Sequence, residues 1–259
     1  MKKSCFLVLT FGVAAMLMLS ATAQALPLSH TWNFHATCYA NGKCNDALEP
    51  VGNIRTAPSD NGLDVKVSAY AFTVGGTGSS TDAWLGQYLN PNGGLGVTNS
   101  SGDGSHTVDN IGYADYVVFE FGSPVNVTSY YMAYISDDAD STWYVGNLVP
   151  GLDFTGKTLA QVNALGLTMG TNSWGFSSDP SPLETLSTSV VGNYFILAAR
   201  LDPGDKDDQF KIRTLTATQA TSDPVPEPST LVLLGSGLAV LGLVAMRKAN
   251  KSKTYDGGR

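Results

Sequence analysis

The sequence predicts a mostly β chain: a single antiparallel β-sandwich over residues 26–220 with at most one or two short helices, an N-terminal signal peptide and a C-terminal transmembrane helix. Three observations lead there. Runs rich in β-branched and aromatic residues recur through the middle of the chain, each closed by Gly, Asn, Asp or Pro, the pattern of short strands joined by turns. Apolar stretches with charged flanks stand at both ends. Only 14% of residues are charged while 28 of 259 are glycine, which excludes a coiled coil, whose sequence is about half Ala, Glu, Lys, Leu and Arg. The net charge of −7 excludes a basic nucleic-acid binder, and 25 aromatic residues argue against disorder.

Taken in order, Lys2 and Lys3 precede the apolar run Cys5–Leu19, and Ala23 and Ala25 then form the small-residue pattern that signal peptidase accepts. Residues 1–25 read as a signal peptide cut after Ala25, with a cut after Ala23 or an uncleaved anchor as alternatives. In the mature chain, Leu63–Tyr70 alternates apolar and polar residues as a half-buried strand does. Tyr116–Phe121 is a second strand, closed by Gly122-Ser123-Pro124, and Val125–Ile135 a third. Further strands are expected at Ser141–Val145, Tyr194–Arg200 and Phe210–Ala217, and one helix at Leu159–Leu165 with Thr158 as its cap and Gly166 as its stop. This strand set suits a jelly-roll or galactose-binding-like sandwich. Gly75–Ser80 and Asn90–Gly104 read as long surface loops, too polar to pack.

Beyond the domain, residues 221–228 form a Pro-rich linker, 229–246 an apolar segment, and 247–259 a tail carrying Arg247, Lys248, Lys251 and Lys253. Its 18 residues span about 27 Å at 1.5 Å each, enough to cross a bilayer, and the basic cluster places the tail in the cytoplasm. Without both ends, residues 26–228 carry 8 basic and 21 acidic side chains, a net −13. The order Val225-Pro226-Glu227-Pro228-Ser229-Thr230, apolar span, basic cluster resembles the PEP-CTERM sorting signal of Gram-negative bacteria. The resemblance implies that Pro226, Glu227 and Pro228 are the motif read by an exosortase, a membrane transpeptidase that removes the tail. It also implies delivery to the cell surface or extracellular matrix beside exopolysaccharide and biofilm. The tail Thr254–Arg259 runs further than that signal usually does.

Within the domain, Cys38 and Cys44 enclose a turn containing Asn41-Gly42 and are the only cysteines left after signal cleavage, so in an oxidising compartment they read as a disulfide. Three acidic clusters follow. The first holds Asp103, His106 and Asp109, with Asn110 and Asp115 nearby; the second holds Asp137, Asp138 and Asp140; the third holds Asp202, Asp205, Asp207 and Asp208. Calcium takes six to eight oxygen ligands, which loop carboxylates and carbonyls supply, and Asp137, Asp138 and Asp140 are the first choice for a Ca²⁺ site. Ordinary Asx turns in solvated loops explain the same residues equally well.

Trp84, Tyr88, Trp143, Tyr144 and Trp174 are candidates for a sugar-stacking face, with Trp84, Trp143 and Trp174 the ones chosen; core filling is the competing reading. The case for catalysis is thin. There is no Gly-x-Ser-x-Gly elbow, the histidines His30, His35 and His106 lack zinc spacing, and the glutamates are only Glu49, Glu120, Glu184 and Glu227. The runs Gly102–Asn110, Asp115–Phe121, Asp137–Trp143 and Asp205–Ile212 are similar to a group of exosortase-dependent surface proteins, a resemblance that implies a surface protein without naming a reaction. The expectation is therefore a non-enzymatic surface or matrix protein, with a carbohydrate-binding module, Ca²⁺-dependent or not, as the alternative and a secreted hydrolase behind it. Signal peptidase, exosortase, membrane and exopolysaccharide are the expected partners, and nucleic acid is not.

Overall fold

The computed structural model describes residues 26–35, 52–73, 78–88, 93–174, 183–202, 204–219 and 228–253. Ala23, Ala25, Cys38, Cys44, Pro226 and Glu227 lie outside the described residues. By compactness the chain divides into the unit Pro27–Gln219 and the terminal segments.

The strands are β1 (Leu28–Asn33), β2 (Arg55–Pro58), β3 (Asp64–Phe72), β4 (Ser80–Asp82), β5 (Trp84–Gln87), β6 (Leu95–Thr98), β7 (Val108–Asp109), β8 (Ala114–Ala133), β9 (Ser141–Gly146), β10 (Thr168–Asn172), β11 (Leu183–Thr185), β12 (Gly192–Ala199) and β13 (Gln209–Gln219). One short helix, α1 (Leu159–Asn163), precedes β10. The strands join into one 13-stranded sheet whose central path is β10-β9-β12-β8-β13-β6-β5, and every strand pairing is antiparallel. The mostly β, antiparallel class expected from the sequence is what the chain forms.

The 20-residue β8 organises this sheet. Its first part, to Phe121, pairs with β3 on one side and β12 on the other. Its last part, from Asn126, pairs with β13 and β11. The sequence predicts two strands here with Gly122-Ser123-Pro124 as a stop, and the structure joins them into one. Residues 122–124 appear in none of the paired registers, because the ladder changes partners at this point. The N–H that Pro124 lacks is therefore not missed by any neighbour.

The two arms created by β8 share one apolar cluster. Phe119 of the first arm lies 6.0 Å from Phe195 of β12 and 5.7 Å from Phe34 beyond β1. Tyr130 of the second arm reaches the same Phe195 at 6.2 Å, and Trp32 of β1 meets Phe121 at 5.2 Å. The other face of the first arm is covered too. Tyr116, Val118, Tyr70, Phe72, Tyr194 and Ile196 form a second cluster with Phe154 and with Val162 of α1. A strand buried on both faces needs no polar alternation, which is why β12 reads Tyr-Phe-Ile-Leu-Ala-Ala at 194–199.

The predicted helix is found where its caps place it. Thr158 accepts from the Gln161 backbone N–H, and the Gln161 side chain reaches back to the Thr158 N–H, a capping box. The chain leaves the helix through Gly166 at φ +78°, a conformation glycine adopts without strain. The region 90–104 differs from its reading as an unpacked loop. It contains β6, whose Leu95 and Val97 are fully buried. A Cβ on Gly96 would lie 2.0 Å from the His106 carbonyl oxygen, so this glycine permits close backbone packing instead of signalling a loose surface.

The terminal unit contains α2 (Pro228–Lys253). A helix stands where the sequence predicts a membrane span at 229–246, but among the described residues no helix is long and apolar enough to cross a membrane. Gly235, Ser236, Gly237 and Gly242 dilute its apolar character.

Candidate metal centre

Antiparallel registers gather the acidic residues. Pairing of β9 with β12 sets Ala199 opposite Ser141, so the turns that flank them, before Ser141 and after Ala199, start side by side. Pairing of β13 with β8 sets Lys211 opposite Ala133, bringing the end of the 200–208 turn against the start of the 134–140 turn. The junction is stitched by backbone bonds: Ser136 N–H to Gln209 O at 3.2 Å, Gln209 N–H to Asp138 O at 2.9 Å, and Arg200 N–H to Asp140 O at 3.1 Å. As a result, one carboxylate oxygen from each of Asp138, Asp140 and Asp208 lies within 4.8 Å of the others.

Pairing of β7 with β13 adds a third segment. The Asn110 amide donates to Asp208 Oδ2 at 2.6 Å and to the Arg200 and Asp205 carbonyls at 3.2 and 3.1 Å, while its oxygen accepts from the Asp208 N–H at 3.1 Å. Asp208 Oδ2 also accepts from the Arg200 N–H at 3.3 Å. Asp208 Oδ1 has no hydrogen-bond partner, on a residue with no exposed surface. Burial pushes this carboxyl up to about 7, with the Asp205 charge next in effect. Burial also raises Asp138 and Asp205 above the ordinary carboxylate range. Asp140 is the partnered member: Oδ2 meets Arg200 Nη1 at 2.9 Å, and Oδ1 accepts from the Trp174 backbone N–H.

A second triad, Asp103, Asp109 and Asp115, is brought together by the same 4.8 Å measure beside a cavity of about 440 Å³. Here the oxygens are supplied with donors. Asp103 accepts from Ser105 and from the Asn99 N–H; Asp109 accepts from the Ser105 and Thr107 hydroxyls and the Ile111 N–H; both Asp115 oxygens accept from the Asn99 amide. Asp115 is fully buried, and its carboxyl is raised well above the ordinary range, by burial first and by Asp109 second.

The sequence clusters are thus redistributed. Asp138 and Asp140 of the predicted Ca²⁺ set stand together, but Asp137, at φ +63°, is outside the triad and Asp208 takes the third place. His106 leaves its cluster: Nδ1 bonds Thr98 Oγ1 at 2.7 Å and its ring stacks on Tyr88 at 5.7 Å. Asp202 accepts from the Gly204 N–H in a local turn, as the plain Asx-turn reading expects. Of the predicted sugar-stacking residues, Trp143 is 8% exposed in the first core cluster and Tyr144 2% exposed in the second. Trp174 packs against the first cluster, and Trp84 is half-buried on β5. Of these three tryptophans, only Trp143 is buried, while Trp84 and Trp174 are partly exposed.

A family model described as the PEP-CTERM protein-sorting motif matches residues 224–248. The match covers Pro226-Glu227-Pro228 and α2 as far as its basic residues Arg247 and Lys248, so the chain carries a PEP-CTERM sorting signal at its C-terminal end. That signal implies processing by an exosortase and export to the cell envelope or surface of a Gram-negative bacterium. No curated protein matches the chain.

Proposed function

We propose that the chain is a non-catalytic protein of the cell surface or extracellular matrix, associated with exopolysaccharide in a biofilm. In this reading signal peptidase cuts after Ala25, and the exosortase cuts near Pro226-Glu227-Pro228 as the domain leaves the inner membrane. The observation that carries the reading is the sorting signal at 224–248 behind an acidic domain. Two features support a structural role over a catalytic one. His30, buried, bonds Ser59 Oγ through Nδ1 at 2.9 Å, and His106, partly buried, bonds Thr98 Oγ1, so each ring is engaged with a neighbouring hydroxyl. Asp103, Asp109 and Asp202 are held in local turns by hydrogen bonds from their own neighbours.

The test uses the full chain in an exosortase-bearing host, with one epitope inserted in the exported domain and another at the C-terminus. The domain epitope should reach the surface or medium without the tail epitope, and replacing Pro226, Glu227 and Pro228 by alanine should keep the two together in the membrane fraction. Equal processing of both versions would overturn the sorting step. Purified mature protein should then co-sediment with exopolysaccharide from that host. Release of reducing sugar ends from that polysaccharide would overturn the non-catalytic reading.

A further inference from the structure

We propose that Asp138, Asp140 and Asp208 hold a calcium ion that ties the 134–140 turn to the 200–208 turn. The inference is independent of sorting, and its failure would leave tail processing as described. It begins at Asp208. The Asn110 amide and the Arg200 N–H both go to Oδ2, and the Asp140 backbone also favours the charged carboxylate, while Oδ1 makes no hydrogen bond and is the oxygen left to offer. That oxygen is buried and has no partner. A buried carboxylate oxygen without a partner is unfavourable. A cation satisfies the oxygen and offsets the repulsion among three carboxylates within 4.8 Å of one another.

The charge balance points the same way. One guanidinium, Arg200, serves one oxygen of Asp140. Asp205 and Asp207 stand close enough to add their own negative charge to the junction. The donors are all oxygen, which selects a hard cation, and they come from irregular turns, which suit the flexible geometry of Ca²⁺ better than the strict octahedron of Mg²⁺. Asp138 is only partly buried, which leaves room for water to complete the six to eight ligands that Ca²⁺ takes. The Asp103, Asp109 and Asp115 triad lacks this sign, since its oxygens already have donors.

The test is thermal unfolding of the full chain with CaCl₂ and with EDTA, alongside Tb³⁺ luminescence excited through tryptophan. Trp174 is well placed as the antenna, because its N–H already bonds Asp140. Calcium at 100 times its Kd should raise Tm by roughly 5–10 °C, and Tb³⁺ emission should be displaced by Ca²⁺. D208N retains an oxygen for the Asn110 amide and should abolish both effects. D138N, at a partly exposed position, should abolish them as well and decides the matter if D208N does not fold. D103N should keep both. Absence of a Ca²⁺ shift in the wild-type chain would overturn the proposal. So would a full shift in D208N or D138N, and a shift lost only in D103N would move the ion to the other triad.

Discussion

Asn110 holds the acidic junction together, since a single amide serves Asp208, Arg200 and Asp205. Asn110→Ala should cost about 2–3 kcal/mol, because buried acceptors are left without a donor, and the loss should appear as a lower urea midpoint with an unchanged slope. Glu184 offers a pH test. Its carboxyl accepts from Asn172 at 2.9 Å and lies above the ordinary glutamate value of 4.5, raised chiefly by burial, pulled back by that hydrogen bond and pushed up again by Asp140. The folded state therefore binds this proton more tightly than the unfolded chain does. Its stabilising effect is fully present below 4.5 and is lost as pH rises through the folded value. Glu184→Gln keeps the acceptor for Asn172 but does not ionise. It should match wild type at low pH and gain on it as pH rises, as read by urea midpoints from pH 4 to 8. A difference constant with pH would show that Glu184 does not titrate as described. Legibility at this scale was partial. The Asp-rich turns were visible as three local clusters, but the pairing of Asp138 with Asp208 crosses 70 positions and exists only because β13 pairs with β8 and β12 with β9.

Strands and helix were legible wherever a local pattern sufficed. The Thr158 cap with Gln161 three residues on is a signal carried by neighbouring residues alone, and Thr158→Ala should lower stability by about 1 kcal/mol. Pattern misled where meaning depended on the neighbour across the sheet. Pro124 reads as a stop in any sequence, yet in β8 it sits where no ladder bond is asked of it. Pro124→Ala should accordingly change stability by no more than about 0.5 kcal/mol, whereas a Pro124 that truly ended a strand would be far less replaceable. Gly96 errs in the opposite sense, reading as loop while serving a packed strand. Gly96→Ala should destabilise by about 1–3 kcal/mol through overpacking against the His106 carbonyl, measurable by calorimetry beside the neutral Pro124 variant.

For the molecule as a whole, stability rests on aromatic contacts between the two arms of the sheet. Phe195 touches both Phe119 and Tyr130, and Phe195→Ala should cost about 3–5 kcal/mol, enough to leave a marginal domain partly unfolded at 37 °C. Trp143, Tyr144 and Tyr88 are drawn inward by the same architecture, which is why aromatics that look like a binding face along the chain fill the interior instead. The sequence by itself determined what local order and composition can carry: the antiparallel β class, the capped helix, the acidic balance, and a sorting signal read as a linear motif by another enzyme. The tertiary structure alone decided which carboxylates meet, that β8 is one strand, and that Trp143, Tyr144 and Tyr88 are buried. Those outcomes depend on long-range strand register, in which a shift of one residue sends every side chain to the opposite face of the sheet.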